Sequence, residues 1–241
     1  DRGIGLALVR EFARRGWRVI ATCRDPAKAT ELAALARDNP KVGIEALDVA
    51  DDAAIDALAA KLKGQPIDAL VNNAGVTGSL DAQVLGKLDA GEFSRVLRVN
   101  GYAPLRVAAA FLDQVAASRQ RKVIGISSGY ASLASVDKIA ARGYPTAYFY
   151  AMSKAALNMA MRGFAFEAAP RGVTTVLIAP GAVDTDMQRG IRGYVADKGR
   201  QITIAALTPE ESAHSMVLTI EALASAQNGH FLARDGAEIP W

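Results

Sequence analysis

The sequence of 241 residues is poor in the residue types that build disulfide frameworks and metal centres. It contains one cysteine, Cys23, and two histidines, His214 and His230. A single cysteine excludes an internal disulfide framework and any multi-cysteine metal site, and two histidines argue against a His-rich one. We therefore predict no metal site and a reducing, cytoplasmic location.

Strong charge imbalance and long apolar runs are absent as well. Lysine and arginine number 28 against 25 acidic residues, which gives a net charge of +3, and no basic block stands out. No apolar stretch reaches the roughly 18–20 residues that a membrane-spanning helix requires, and no signal peptide is visible at the start. We therefore predict a small molecule as the partner, and we predict no binding to nucleic acid or to a membrane.

The sequence does contain an alternation of helical and strand patterns, with 51% apolar residues. Short apolar runs predict strands at residues 17–23, 42–47, 67–72, 122–127, 173–178 and 230–233. Helical patterns begin at Ile4 and then cover residues 26–38, 51–63, 92–117, 150–168 and 208–225, the last opening on a capping box. Repeated strand–helix units predict one α/β domain, residues 1–241, with a doubly wound parallel sheet of Rossmann type in three α/β/α layers.

Polar residues follow several of these strands directly. In such sheets ligands bind at the carboxyl ends of the strands. The segments at those positions are Cys23-Arg24, Asp48, Asn72-Asn73, Ser127-Ser128 and Pro180-Gly181. We expect all five segments to line one edge of the sheet.

A dinucleotide site is predicted at the first helix. Gly3 and Gly5 would let the backbone approach a pyrophosphate at the helix N-terminus, although the same pattern also forms ordinary turns. About 20 residues further on, an acidic residue favours NAD and an arginine favours NADP. Arg24 stands there, and Arg2 lies beside the glycines, so NADP is favoured. NAD remains an alternative because the acidic Asp25 follows Arg24 directly. Arg2 and Arg24 could also be two solvated arginines with no role in binding a cofactor.

Tyr150 and Lys154 lie four residues apart on a predicted helix and therefore share a face. A tyrosine has a pKa of about 10 in water, and an adjacent ammonium lowers that pKa toward the range of an acid or base catalyst. The alternative is a helix-surface pair. Ser128 follows a strand and either bonds a substrate carbonyl or caps a turn. Asn100 either serves the site or bonds a neighbour inside a helix.

Jointly these motifs resemble the short-chain dehydrogenase/reductase family over essentially the whole chain. The matching segments follow the family's order and are Arg2-Gly3-Ile4-Gly5, Asp48-Val49, Asn72 to Gly75, Asn100, Ser128, Tyr150-x-x-x-Lys154 and Pro180-Gly181 with Thr185. The aromatic run 148–150 and residues 235–241 are similar to the C-factor-like carbonyl reductase branch.

The resemblance implies a role for each matching residue. Tyr150 would be the general acid/base, and Lys154 would bind the nicotinamide ribose and lower the pKa of Tyr150. Ser128 would orient the carbonyl oxygen, and Asn100 would hold a water in the proton relay. The implied cofactor-binding set is Arg2, Gly3, Ile4, Gly5, Arg24, Asp48, Val49, Asn73, Ala74, Gly75, Tyr150, Lys154, Pro180, Gly181, Val183 and Thr185.

Three features depart from the family pattern. The opening strand and the first motif glycine do not precede Arg2, so we expect the natural chain to be longer. Ser128 lies 22 residues before Tyr150, whereas the commoner family spacing of about 13 lands on Asp137, with Ser135 nearby. We retain Ser128 because it ends a strand, and residues 130–148 would then form a longer loop over the substrate. Cys23 and Arg24 replace the acidic NAD pattern.

Residues 186–207 resemble the mobile substrate lid of the family, although a surface loop is the other interpretation. Met187, Ile191, Tyr194, Ile202 and Ile204 would shape an apolar pocket there. The family also implies a homodimer or homotetramer through long helices, with residues 92–115 and 155–166 as candidates.

The leading hypothesis is an NADP-preferring reductase of an aldehyde or ketone. A dinucleotide-binding signalling or regulatory protein with little turnover is the alternative from another class, and an NAD-dependent alcohol dehydrogenase is a third interpretation.

Overall fold

The computed structural model describes residues 1–241 and consists of parallel strands with helices on both sides. The strands are β1 (Val19–Cys23), β2 (Val42–Ala46), β3 (Ala69–Asn72), β4 (Gln83–Val84), β5 (Lys87–Leu88), β6 (Lys122–Ile126), β7 (Thr174–Ala179) and β8 (Phe231–Ala233). The helices are α1 (Gly3–Arg14), α2 (Thr30–Asp38), α3 (Asp52–Lys61), α4 (Ala90–Leu97), α5 (Ala103–Ala110), α6 (Leu112–Ala116), α7 (Val136–Ala141), α8 (Tyr148–Ala168), α9 (Asp186–Asp197) and α10 (Pro209–Ala222). None of these helices combines the length and apolarity that a membrane crossing needs.

The parallel strands form two hydrogen-bonded groups, with the orders β2-β1 and β3-β6-β7-β8. β1 and β3 are not paired with each other, yet Ile20 and Leu70 pack against the same apolar cluster. Because every pairing within the two groups is parallel, the carboxyl ends of the strands in each group lie at one edge. The predicted parallel α/β architecture is confirmed.

Side chains alternate between the two faces of the sheet along its central strands. Ile124 of β6 packs with α1 and α10, whereas Val123 packs on the opposite face with α5 and α8. In β7, Val176 and Leu177 divide in the same way. Strands covered on both faces need apolar residues at every position, which explains the continuous apolar runs of the sequence.

Two of the predicted helices are interrupted. The pattern at residues 26–38 becomes a short 3-10 turn, capped by the Asp25 side chain on the Ala27 amide, followed by α2. The pattern at residues 92–117 becomes α4, α5 and α6, with a five-residue π-helical turn, Arg98–Tyr102, between the first two. The β4–β5 hairpin was not predicted, because each of its strands is only two residues long.

Candidate active site

Tyr150 and Lys154 occupy the first two turns of α8, on the face that meets the sheet. Both are buried, with 8% and 4% of their surface exposed, so the helix-surface interpretation is wrong. The Lys154 Nζ donates a hydrogen bond of 2.8 Å to the carbonyl of Ile126, the last residue of β6. The same nitrogen lies 5.9 Å from the centre of the Tyr150 ring. A phenol and an ammonium therefore lie side by side at the carboxyl end of a central strand.

Burial changes the proton affinity of both groups. It raises the pKa of the Tyr150 phenol, and a hydrogen-bonding interaction with the Ser128 side chain acts in the opposite direction. Burial also lowers the pKa of Lys154 to about 8, since a charge is costly to keep away from water. At neutral pH the phenol is therefore protonated and Lys154 still carries most of its charge.

Ser128 lies beside the phenol although it is 22 residues away in sequence. Its backbone is extended at the end of β6, and its hydroxyl also accepts a hydrogen bond of 3.3 Å from the Tyr130 amide. The hydroxyl therefore caps the turn after β6, and its place beside the phenol is compatible with the predicted site role. Asp137, which the commoner spacing would select, lies exposed in α7, and Ser135 belongs to the turn just before that helix.

Asn100 lies in the π-helical turn and is completely buried. Its amide bonds the backbone of Val76 in both directions, accepting at 2.9 Å and donating at 2.7 Å, and it also donates to the Ser153 hydroxyl at 2.9 Å. A Cβ added to Gly75 would lie 3.3 Å from the Asn100 Oδ1 and 3.5 Å from the Lys154 Nζ. Asn100 thus fixes the loop after β3 against the ammonium.

The glycines that open α1 make close contacts with two other predicted site segments. Gly3 has φ +51°, and a Cβ on it would lie 3.2 Å from the Thr185 methyl group. A Cβ on Gly5 would lie 2.7 Å from the Asn73 side-chain nitrogen, which a side chain could not tolerate without a shift. Ile4 between them packs into the main apolar cluster.

The N-terminus of α1 also lacks a protein cap. Arg2, at the capping position, makes no side-chain cap hydrogen bond, and the first turn contains no acidic residue. Free amides at a helix N-terminus bind anions readily. The glycine cradle and this helix end together fit a pyrophosphate.

Arg2 and Arg24, the two arginines predicted to bind the 2′-phosphate, are both exposed but differ in their ion pairs. The Arg2 guanidinium lies 3.7 Å from the Asp186 carboxylate at the start of α9. Arg24 forms no ion pair. Asp25, the residue that kept NAD open, caps the Ala27 amide and pairs with Lys28 at 3.1 Å. The position after β1 therefore presents a free cation, and its neighbouring acid is already engaged.

The remaining cofactor candidates lie in the loops after β2, β3 and β7. The exposed Asp48 accepts a hydrogen bond of 2.9 Å from the Ala50 amide, and Val49 packs against the cluster around Leu47. Ala74 is exposed in the loop after β3.

The loop after β7 is shaped by a glycine and by contacts with the end of the lid segment. Pro180 is buried, and Gly181 has the left-handed φ of +88°. Val183 forms a β-bridge with Leu207, and the Thr185 hydroxyl caps the Gln188 amide of α9.

The segment predicted to be a lid, residues 186–207, is helical in its first part, where α9 covers residues 186–197. A cavity of about 270 Å³ lies between α9 and the segment after Gly75. Its lining residues are Thr77, Gly78, Leu80, Asp186, Met187, Gly190, Ile191 and Tyr194. Ile202 and Ile204 do not line it and pack behind it against Ile191 and Val195, because the chain after α9 folds back along that helix.

Sequence reasoning missed Thr77, Gly78 and Leu80, which form the opposite wall of this cavity. Their position directly after the Asn72–Gly75 motif is the signal that would have found them. It also missed the contacts of Tyr130 with Tyr150 and of Tyr144 with Gln188, for which the sequence carries no local signal.

Comparisons with known proteins identify the family of this chain. The family model described as short chain dehydrogenase matches residues 1–194. The C-signal protein of Myxococcus xanthus is 37% identical over 176 residues, which cover 73% of this chain and 93% of that protein. An oxidoreductase of Schizosaccharomyces pombe is 31% identical over 250 residues, which cover 100% and 95% of the two chains.

Solved structures show the same fold. An NADPH-bound carbonyl reductase from chicken fatty liver superimposes with a TM-score of 0.86 at 32% identity, covering 100% of this chain and 95% of that one. The carbonyl reductase Sniffer of D. melanogaster gives 0.82 at 27% identity, with coverage of 100% and 96%. The chain belongs to the short-chain dehydrogenase family of NAD(P)-dependent oxidoreductases.

Proposed function

We propose that this protein is an NADPH-dependent carbonyl reductase of the C-factor-like branch, with an aldehyde or ketone as substrate and an alcohol as product. The observation that carries the proposal is the buried Tyr150–Lys154 pair at the end of β6, with Ser128 on the phenol. NADPH-bound and carbonyl reductase structures among its neighbours support the cofactor and the direction.

The bound nicotinamide supplies the hydride, and the protein supplies alignment and a proton. Tyr150 donates its phenolic proton to the carbonyl oxygen as negative charge develops there. Ser128 donates a hydrogen bond to the same oxygen and so fixes the distance between that oxygen and the phenol. Burial keeps the pKa of Tyr150 raised, so the phenol holds its proton until that moment.

Lys154 stabilises the phenolate that remains after the proton has left, and it binds the nicotinamide ribose through the N–H groups not used on Ile126. Asn100 has two functions in the proposal. Its side chain fixes the Gly75–Val76 backbone beside Lys154, and a water next to it reconnects the phenol with solvent.

The cofactor would lie along the edge formed by the loops after the strands. The α1 N-terminus with Gly3, Ile4 and Gly5 would hold the pyrophosphate, and Arg24 with Arg2 would meet the 2′-phosphate. Asp48 and Val49 would contact the adenine, and residues 73–75 would contact the adenosine half. Pro180, Gly181, Val183 and Thr185 would flank the nicotinamide, and residues 186–207 would close over the substrate as a lid.

The similarity to C-signal supports a second candidate, a dinucleotide-binding signalling protein with little turnover. The complete Tyr150, Lys154, Ser128 and Asn100 set favours the enzyme. We also propose a cytoplasmic location, in keeping with the free, buried Cys23.

Replacing Tyr150→Phe removes the proton donor and leaves the ring that fills its site. We expect the rate of NADPH-dependent carbonyl reduction to fall by about 10²–10⁴-fold, as for loss of a general acid, with NADPH affinity changed by less than about threefold. Steady-state rates with a panel of carbonyls and NADPH fluorescence titration measure both. Tyr148→Phe, two residues earlier on α8, is the matched control and keeps full activity; equal slow rates in wild type and Tyr150→Phe would favour the signalling protein.

The lowered pKa of Lys154 gives the reaction a pH limit. The charged form is present below a pKa of about 8 and is lost as the pH rises through that value. Because the ammonium is needed to stabilise the phenolate, kcat/KM for carbonyl reduction should be level below about pH 8 and fall about tenfold per pH unit above it. A pH profile, with circular dichroism to confirm folding at each pH, measures this; a profile that stays flat into the alkaline range would contradict the role of Lys154.

Arg24→Asp tests the choice of nucleotide. We expect kcat/KM for NADPH to fall about 10–100-fold, because a charge-assisted contact with a phosphate contributes about 1.5–3 kcal/mol, while NADH is used at least as well as before. The control Arg37→Asp makes the same charge change at the far end of α2 and should leave the nucleotide ratio unchanged. Unaltered NADPH preference in Arg24→Asp would remove Arg24 from the site.

The exposed face of α8 supports self-association. Met152, Met159 and Phe166 are spaced by seven residues on this helix and are 52%, 75% and 64% exposed. We propose a homodimer through this face, since seven-residue spacing aligns the three side chains in one stripe. Light scattering should give twice the chain mass for the wild type and the single chain mass for Met159→Lys; a monomeric wild type would exclude the dimer.

A further inference from the structure

Three aromatic side chains form a continuous contact from the phenol of Tyr150 to the lid. The Tyr130 ring stands edge-on to the Tyr150 ring, with centroids 5.5 Å apart and an interplanar angle of 78°. Tyr130 also stands edge-on to Tyr144, at 6.0 Å and 88°. Its hydroxyl donates a hydrogen bond of 2.8 Å to the Pro145 carbonyl, so the Tyr130 ring is held in place at both ends.

Tyr144 is joined to the lid helix by a polar contact. Its hydroxyl accepts a hydrogen bond of 2.8 Å from the side-chain amide of Gln188, which is buried in the first turn of α9. A second link runs through the backbone, where the Thr203 amide donates to the Arg142 carbonyl at 3.1 Å. The segment before α8, which contains α7, is therefore hydrogen-bonded to the segment after β7 at two points.

The aromatic contact adjoins the apolar cluster beside the α9 cavity, although Tyr130 and Tyr144 do not line that cavity themselves. Tyr144 packs against the same apolar cluster as Leu80, Met187 and Tyr194, and these three residues line the cavity. Burial raises the pKa of Tyr130 well above its ordinary value, so its ring stays neutral at any physiological pH.

The two loop tyrosines also keep open surface. Tyr130 and Tyr144 remain partly exposed despite their mutual contact, so part of each residue is open for a ligand to cover. Flat, neutral and apolar surface of this kind favours a planar aromatic group, which can pack edge-to-face or offset against it.

We propose that Tyr130 and Tyr144 determine substrate specificity by selecting carbonyl compounds that bear an aryl group over short aliphatic aldehydes, and that Gln188 is a positioning residue that holds Tyr144. The proposal rests on the proposed reductase function. It assigns a use to residues 130–148, the loop that lengthens the spacing between Ser128 and Tyr150.

The test compares two probe carbonyls, 4-nitrobenzaldehyde and butanal, with NADPH as the reductant. For the wild type we expect kcat/KM to be at least tenfold higher with the aryl aldehyde. Tyr144→Leu and Tyr130→Leu keep apolar bulk but remove the flat surface, and each should lower the aryl-to-butanal ratio by about five- to tenfold. Tyr102→Leu, an exposed tyrosine of the π-helical turn, is the matched control and should leave that ratio unchanged.

Gln188→Leu and Tyr144→Phe remove the two ends of one hydrogen bond. Each should raise KM for the aryl aldehyde about threefold or more with little change in kcat, and the double variant should be no worse than either single one, because the shared contact is already lost. A general loss of folding would instead lower kcat for both probes, and NADPH affinity, measured by fluorescence, reports folding independently of substrate.

The possible failures are distinguishable. A wild type that reduces neither probe overturns the proposed function and the selectivity with it. A wild type that reduces both probes with equal kcat/KM overturns the selectivity alone. A ratio that stays at the wild-type value in Tyr130→Leu and Tyr144→Leu also overturns it, and additive effects of Gln188→Leu and Tyr144→Phe overturn the positioning role of Gln188.

Discussion

The site depends on keeping the Lys154 ammonium out of water at the end of β6. A buried charge is costly unless hydrogen bonds replace its hydration, and the Ile126 carbonyl supplies one such bond at 2.8 Å. The neighbouring loop follows from this placement. A Cβ on Gly75 would make a tight contact of 3.3 Å with the Asn100 Oδ1, and Asn100 bonds both backbone groups of Val76, which holds this loop beside the Nζ.

Local patterns made much of this arrangement predictable. The four-residue spacing of Tyr150 and Lys154 fixes a shared helix face whatever the rest of the fold does, and the apolar runs of β6 and β7 reflect burial on both sides. The rule that functional residues follow parallel strands selected Ser128, which lies beside the phenol, whereas the commoner family spacing pointed to Asp137.

Contacts between segments that are distant along the chain could not be predicted from the sequence. Asn100 bonds partners 24 and 53 residues away, and the π-helical turn that aims it has no signature in the residue types. The partner of Tyr144 on the lid is 44 residues away, and an amide–phenol bond can be formed by almost any pair of such side chains. The ion pair of Arg2 with Asp186 at the start of α9 likewise joins residues far apart in sequence and has no local signal.

One contact links the chemistry of the site to its shape. The Tyr130 ring helps to cover Tyr150, and burial of that phenol is the principal cause of its raised pKa. The edge-to-face contact of Tyr130 with Tyr150 therefore also helps to keep the acid protonated. A substrate ring packed against Tyr130 would exclude further water from the phenol, which would raise its pKa again while the proton is still needed. Substrate recognition and retention of the phenolic proton thus depend on the same buried surface. A substitution of Tyr130 should therefore change both the substrate specificity and the pKa of Tyr150.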